Sequence, residues 1–576
     1  MISRNGASRY RQQAAVWLIS LAAAALCFTP LPAAHAADEL NPILKGLTRD
    51  DVLRRGEAMY RTGLLPTGEP MQALVMGDVP VEGTMFTCVS CHLRSGFGSS
   101  EGQVRTPPID GTRLYSPVSM VRGAPLVGRP TGGSEDLYRP AYTDETLARV
   151  IETGIDPAGR QLNTVMPVYF LNEQDREIMV YYLKELSTGP QPGVTETTLH
   201  FATVISEDVS GEDREAMVGS LQKYISNWRL PKSMERGMRS SLYRREGTMK
   251  GMRTLALSVW ELKGAPETWR RQLEEYYQKE PVFALLGGIS TREWEPVHRF
   301  CEDHRIPAIF PITDYPVISE TDWYTLYLSK GLYQEGEAAA RFLHGRDDLS
   351  KTPSIVQVIR DEPAGLALSR AFRDTWVSLE HEAPDTVVLK RDGPVPASFW
   401  KKLAGKNKPA VVLLWLNAGD FPELKLLAKG RSRPAMVFAS ASLLGRRLYA
   451  LAESDREYVY LTYPFSLPQE SKGQRTQVGP SPQNNLVPIT RRDTALKMQS
   501  LAQTISDPLT KMRSFVSRDY FLELIEATPD LTALPVIYPR LSFGTGQRYA
   551  SKGCYIVQLT PGPNPELIKK SEWVIH

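Results

Sequence analysis

Two cysteines three positions apart, followed at once by a histidine, stand at Cys88-Val89-Ser90-Cys91-His92. On one short helical turn, two thiols at that spacing reach two points along one edge of a planar ring. The adjacent imidazole is then placed to coordinate a metal at the centre of the ring. This is the attachment pattern of a c-type haem, in which Cys88 and Cys91 form thioethers with the vinyl groups and His92 meets the iron from one face. Cys-x-x-Cys by itself also serves as a redox dithiol or as half of a zinc site. A zinc site needs a second ligand pair, and none follows at suitable spacing. A dithiol expects a strand ahead of it, and Gly83-Thr84-Met85 is a poor one. The sequence predicts one covalent haem c.

The opposite face of the iron calls for a downstream ligand. Met166 precedes Pro167 in an extended stretch after the turn Asp156-Pro157-Ala158-Gly159. Proline restricts the residue before it to extended geometry, which suits a loop that aims a thioether. A thioether opposite histidine raises the reduction potential, as electron carriers require. Met166 is therefore the expected sixth ligand and, with His92, the expected metal ligand pair. Met85, Met120 or an open position are the other readings.

Elsewhere chemistry is sparse. The chain has 8 histidines, and only His92 sits in a chemical motif. No paired catalytic carboxylates, nucleophile motif or second metal site stand out, so no enzyme is expected. Small polar residues do follow several apolar runs: Ser206, Gly288-Ile289-Ser290-Thr291, Ile312-Thr313-Asp314, Asn417-Ala418-Gly419 and Ser440. Hydroxyls and free N–H groups at helix starts suit an anionic or carboxylate ligand. Helix capping explains Ser290 or Thr313, each taken alone, equally well.

These residues need elements to position them. Arg55 to Tyr60 opens one helix, and Thr143 begins another with Leu147, Val150 and Ile151 on one face. Asn172 caps a third, with Ile178, Tyr181, Tyr182 and Leu186 at helical spacing. Residues 189–197 are a Gly/Pro-containing linker. Beyond it, strands at Leu199–Ile205, Pro281–Gly288, Ile306–Phe310, Ile355–Ile359, Val411–Leu416 and Ala435–Ala439 alternate with helices. That order predicts parallel α/β layers, and continuous apolar strands fit a sheet covered on both faces. The C-terminal ends of such strands form the ligand crevice.

Over residues 50–188 the chain resembles class I cytochromes c. The motifs are Cys88-x-x-Cys91-His92, Gly154-Ile155-Asp156-Pro157-x-Gly159, Met166-Pro167 and a closing helix ending Tyr182-Leu183. The resemblance implies an all-α, one-haem domain. It also implies that a proline carbonyl, from Pro107 or Pro108, orients the proximal histidine. Over residues 198–562 the chain resembles the type I periplasmic binding proteins of the leucine/isoleucine/valine branch. The clearest part runs from Val282-Phe283-Ala284-Leu285-Leu286-Gly287-Gly288 through Pro307-Ala308-Ile309-Phe310-Pro311. Leu541-Ser542-Phe543-Gly544 and Tyr555-Ile556-Val557-Gln558 resemble that family's last strands. The resemblance implies two α/β lobes that close on a ligand, with Ser290, Thr291 and Thr313 lining the first. Amino-acid binders of this branch hold the ammonium with a second-lobe acid, yet Phe438-Ala439-Ser440-Ala441-Ser442 contains none. The expected aromatic after Ile359 is also missing from Arg360-Asp361-Glu362-Pro363. Branched-chain amino acids are therefore not expected as ligands.

The expected organisation is multidomain. Residues 1–36 form a secretory signal, with Arg4 to Arg11 ahead of an apolar run and a cleavage site near Ala36. A one-haem domain (37–188), the linker (189–197) and a two-lobed α/β domain (198–576) follow. The signal's three arginines and lack of acids account for the whole net charge of +3. A neutral remainder gives no reason to expect nucleic acid or an anionic membrane as partner. No later segment is long and apolar enough to cross a bilayer. Cys301 and Cys554 each sit in an apolar stretch and read as two buried thiols, although export permits a bridge. Residues 469–492, rich in Gln, Ser, Asn and Pro, read as a loop. The function expected is periplasmic electron transfer with a redox partner protein and a solute-binding-like domain. The alternative is a solute-binding or sensing protein, of the kind that serves ABC transporters, with haem as its redox or gas reporter.

Overall fold

The computed structural model describes residues 42–101, 104–119, 138–228, 253–347, 354–406, 409–421, 424–427, 433–467, 491–512, 515–528, 531, 538–539, 541–544 and 546–575. The expected signal (1–36), Met120, and all but the last two residues of the expected 469–492 loop lie outside them. The chain divides into two compact units, Met1–Thr188 and Gly189–His576.

In the first unit three helices carry the core: α1 (Arg49–Thr62), α3 (Asp144–Thr153) and α4 (Glu173–Glu185), with the short α2 (Cys88–His92) between α1 and α3. Local chemistry sets their starts. The side chain of Thr143 accepts from the Thr146 N–H, and Asn172 Oδ1 accepts from the Asp175 N–H at 2.9 Å. Each satisfies a backbone donor that helix geometry leaves without a partner. Met59, Tyr60, Leu147, Val150, Ile151, Ile178 and Tyr182 are buried together.

Helices α1 and α4 meet at Gly56, where a Cβ would lie 2.4 Å from Tyr182 Cβ and 3.1 Å from the Ile178 carbonyl oxygen. Neither neighbour is the free end of a side chain, so Gly56→Ala must push the helices apart. The gain in helix propensity, about 1 kcal/mol, does not offset the overpacking. The first unit should lose about 1–3 kcal/mol. Calorimetry should show its unfolding transition lowered and that of the second unit unmoved. An unmoved first transition would mean that the contact carries no packing constraint.

The all-α expectation for this unit does not hold. Strands β1 (Gln72–Val75), β2 (Val79–Glu82) and β3 (Val168–Phe170) form an antiparallel sheet in the order β2–β1–β3. Alternation explains it. Ala73, Val75 and Tyr169 face the core, while Gln72 and Phe170 point away. The tight connection through Met76 and Gly77, both at positive φ, turns β1 back into β2.

The second unit has two lobes. The first sheet is wholly parallel, built from β4 (Thr198–Ser206), β5 (Thr254–Leu262), β6 (Ala284–Leu286), β7 (Ala308–Ile309), β8 (Thr325–Ser329) and β14 (Tyr549–Ser551), in the order β14–β8–β7–β6–β4–β5. Helices α5 (Gly211–Ser226), α6 (Trp269–Lys279) and α7 (Glu295–Asp303) cover it. The second sheet begins with parallel strands β9 (Ile355–Arg360), β10 (Asp385–Leu389), β11 (Val411–Trp415), β12 (Met436–Ser440) and β13 (Val459–Tyr463). Antiparallel strands β15 (Gly553–Leu559) and β16 (Leu567–Lys569) extend it. Helices α8 (Tyr333–His344) and α9 (Pro363–Ser378) pack on this second sheet. The chain passes between lobes after β8, after β13 and between β14 and β15. After β13 it returns to the first lobe as α10 (Arg491–Met512) and α11 (Arg518–Glu526), whose Met498, Leu501, Phe521 and Ile525 join that core.

The expected strand at Leu541–Gly544 is not one. Leu541 and Phe543 bury their side chains in the first-lobe core without a ladder, and Tyr549–Ser551 pairs with β8 instead. Cys301 and Cys554 are both buried and free, as expected of two thiols. No helix among the described residues is long and apolar enough to cross a membrane.

Candidate functional site

Helix α2 carries Cys88, Cys91 and His92 on a single turn begun by Thr87. Cys88 is half-buried and packs with Val89 against the unit's core, while Cys91 is exposed; both thiols are free. Burial pushes the Cys88 thiol up to about 11, with the Tyr169 side chain against it. The Tyr169 hydroxyl also donates to the Phe86 carbonyl at 2.6 Å. Strand β3 thus reaches the entry to the motif from the far end of the sequence.

His92 is 9% exposed. Its Nδ1 lies 3.1 Å from the Pro107 carbonyl oxygen. A carbonyl only accepts, so Nδ1 carries the hydrogen and Nε2 carries the lone pair. Burial pushes the imidazole down to about 4, the Pro107 bond opposing, so the ring is neutral at pH 7. Nε2 has no hydrogen-bond partner among the described residues. A neutral imidazole, oriented by a carbonyl on one nitrogen with its other nitrogen unpartnered, is the state a metal ligand requires. Of the two expected prolines, Pro107 makes the contact. The loop that delivers it turns at Gly98, φ 77°, where a Cβ would sit 2.2 Å from the Thr106 carbonyl oxygen. Only glycine fits there.

Met166 is half-buried at the end of a turn in which its N–H donates to the Asn163 carbonyl at 2.9 Å. The Asn163 side chain accepts from the Val165 N–H at 3.0 Å, which fixes the same turn. Met166 lies two residues ahead of β3, on the segment whose Tyr169 reaches Phe86. Met85, the other described methionine considered, is 73% exposed. Cys88, Cys91 and His92 would hold a c-type haem, which would supply one-electron chemistry at its iron.

In the second unit Ser206, Ser290 and Thr313 lie along one edge of the first sheet. The Ser206 N–H donates to the Ile289 carbonyl, and the Ser290 N–H to that of Ile312. Ser290 Oγ accepts from the Arg292 N–H at 3.0 Å, and Thr313 Oγ from the Tyr315 N–H at 3.0 Å. Both hold local turns, and α7 begins instead after Trp294. Thr291 donates its hydroxyl to Asp208 Oδ2. Ser290 and Thr313 thus each have a local partner, and Thr291 is bonded to Asp208 from the turn after β4.

Two acids at the strand ends escape a sequence reading. Asp208 follows β4 and meets Thr291 and, at 3.7 Å, Arg292. Glu335, in the first turn of α8, is fully buried and accepts from the Thr462 hydroxyl at 2.6 Å, while its Oε1 has no partner. Burial pushes it up to about 7, against the hydroxyls of Ser442, Thr462 and Ser440. Glu335 thus meets Ser440 and Ser442 from another element, α8. Nothing in Tyr333-Gln334-Glu335-Gly336-Glu337 distinguishes Glu335 from a solvated helix face.

No known family profile and no curated protein matches the chain. Among solved structures, a fatty acid ABC transporter substrate-binding protein from Thermomonospora curvata is 15% identical, with a TM-score of 0.42 over 67% of this chain and 95% of that one. A branched-chain amino acid ABC transporter from Thermus thermophilus with bound valine is 13% identical, with a TM-score of 0.44 over 66% of this chain and 97% of that one. A solute-binding protein from R. palustris in complex with benzoate is 11% identical, with a TM-score of 0.40 over 66% of this chain and 96% of that one.

Proposed function

We propose that the chain is an exported, two-lobed small-molecule-binding protein that carries one covalent c-type haem in its N-terminal unit. The observation that carries the haem is His92: a buried neutral imidazole, fixed through Nδ1 by Pro107, with Nε2 unpartnered one residue after Cys91. The binding role rests on the two sheets, one parallel and one mixed, the three passages between them and the polar residues at their strand ends. Closure about such passages is a hinge motion. In this reading Ser290, Thr291 and Thr313 line the first lobe, and the ligand is not leucine, isoleucine or valine.

A second reading, electron transfer to a partner protein, is favoured by Met166. Its turn leads into β3, whose Tyr169 reaches Phe86 and Cys88. A histidine/methionine iron carries electrons, whereas an open position binds gases. The absorption spectrum of the purified protein, with and without carbon monoxide, tests both readings. Absence of haem bands would remove the haem reading. With Met166 bound, ferric protein should show the weak sulfur-to-iron band at the red edge of the visible spectrum and reduced protein should resist carbon monoxide. Met166→Ala should abolish the band and admit the gas. A band that survives the substitution would assign the ligand elsewhere. Immediate binding of carbon monoxide by the unsubstituted protein would favour the gas-reporter role.

A further inference from the structure

We infer that the first-lobe edge holds an ammonium-bearing ligand, through Ser206 and Asp208. The inference rests on the ligand-binding role of the second unit and names the chemical class of its ligand.

Ser206 ends β4 at the strand's C-terminal edge and is 2% exposed, yet its Oγ has no hydrogen-bond partner among the described residues. The chain then turns, with the Val209 N–H donating to the Ser206 carbonyl at 3.3 Å. Asp208 stands in that turn. Its Oδ2 accepts from Thr291 and faces Arg292 Nε at 3.7 Å, while its buried Oδ1 has no partner among the described residues. Leaving a buried polar atom unpaired is costly, more so on a charged group. Two such atoms at one strand end, on the side of the sheet where ligands enter α/β folds, mark a place built to meet another molecule.

The chemistry selects the partner. A carboxylate oxygen only accepts, and Asp208 adds a negative charge that a single loose contact to Arg292 balances. A ligand carboxylate at this edge would meet like charge. An ammonium supplies donors to Oδ1 and to the Ser206 oxygen and neutralises the acid. This proposal differs from the anionic ligand that the hydroxyls alone suggest. Thr291 serves here as a positioning residue, because its hydroxyl fixes Oδ2 and leaves Oδ1 turned elsewhere.

The test uses the full-length protein, calorimetry, and two probe series: ethanolamine and putrescine as amines without a carboxylate, acetate and benzoate as carboxylates without an amine. A ligand that binds only the folded state raises the unfolding temperature. An amine should raise that of the second unit, and the carboxylates should not. Asp208→Asn keeps the acceptor for Thr291 but removes the charge, and should weaken amine affinity by about thirtyfold or more. Ser206→Ala leaves the Thr291–Asp208 bond intact and should weaken it as well. Amine binding unchanged in both variants overturns the inference. Stabilisation by carboxylates alone overturns it while the ligand-binding role stands. No stabilisation by either series, together with an unchanged radius of gyration in X-ray scattering, removes that role and this inference with it.

Discussion

Protein in which Cys88→Ser and Cys91→Ser are combined should lose all haem stain on a denaturing gel, while the unsubstituted protein keeps it. Covalency is what the measurement reads. Denaturation dismantles the turn that holds His92 against Pro107, so haem held only by the imidazole is released, and haem held by thioethers is not. Each single variant leaves one sulfur and should retain stain with an altered spectrum. The core does not depend on either thiol's polarity. Cys91 is exposed and Cys88 only half-buried, so serine at both positions should leave α2 and the α1–α4 contact in place. Circular dichroism of the double variant checks that the fold persists. A double variant that still carries covalent haem would overturn the assignment. Unsubstituted protein that purifies with zinc and no haem would favour the zinc reading of the same two cysteines.

The grouping of Cys88, Cys91 and His92 on one turn was legible because its information is local. Three residues on one turn specify both sulfurs and the imidazole, and no distant contact is needed to interpret them. The caps at Thr143 and Asn172 were legible for the same reason, since a side chain three residues from a helix's first donors either accepts from them or does not. The alternation of strands and helices after residue 198 was legible as period and order. What the sequence left hidden depends on meetings between separate segments. The sheet β2–β1–β3 needs Val168–Phe170 to return beside Gln72–Val75 from nearly a hundred residues away. Strand β5 was not singled out, and its pairing with β4 along nine residues is a tertiary fact. Leu541 and Phe543 alternate as a strand would and are buried as a strand's residues would be, yet β14 occupies the edge of the sheet. At the site, Ser290, Thr291 and Thr313 were found from their place after apolar runs. Asp208 and Glu335 were not, because an acid acquires meaning only from what it faces.

Glu335 should make the second unit less stable as pH rises through neutrality, and Glu335→Gln should remove that dependence. The carboxyl titrates near 4.5 when solvated and is pushed up to about 7 by burial in α8. With its folded value raised above its unfolded value, the stabilising proton is fully in place below about 4.5 and is lost as pH climbs through 7. At about 1.4 kcal/mol per pH unit, the difference across that window is about 3 kcal/mol. Of the groups around it, Glu337 is also pushed up by burial, against its pair with Lys330, and that shift is common to both proteins. Ser440, Ser442 and Thr462 are neutral hydroxyls, and burial holds the Cys554 thiol well above its usual range, with the charges of Glu335 and Glu337 adding to the effect. Glu337 is itself tied to Lys330 at 2.9 Å. Glutamine keeps an oxygen for the Thr462 hydroxyl. It cannot ionise. The diagnostic is therefore the change in stability between pH 5 and pH 8, compared in the two proteins by denaturant titration of the second unit, rather than the absolute value at either pH. The unsubstituted protein should lose about 3 kcal/mol more over that interval than the Gln variant does. Parallel pH profiles would show that the carboxyl stays ionised in the folded state.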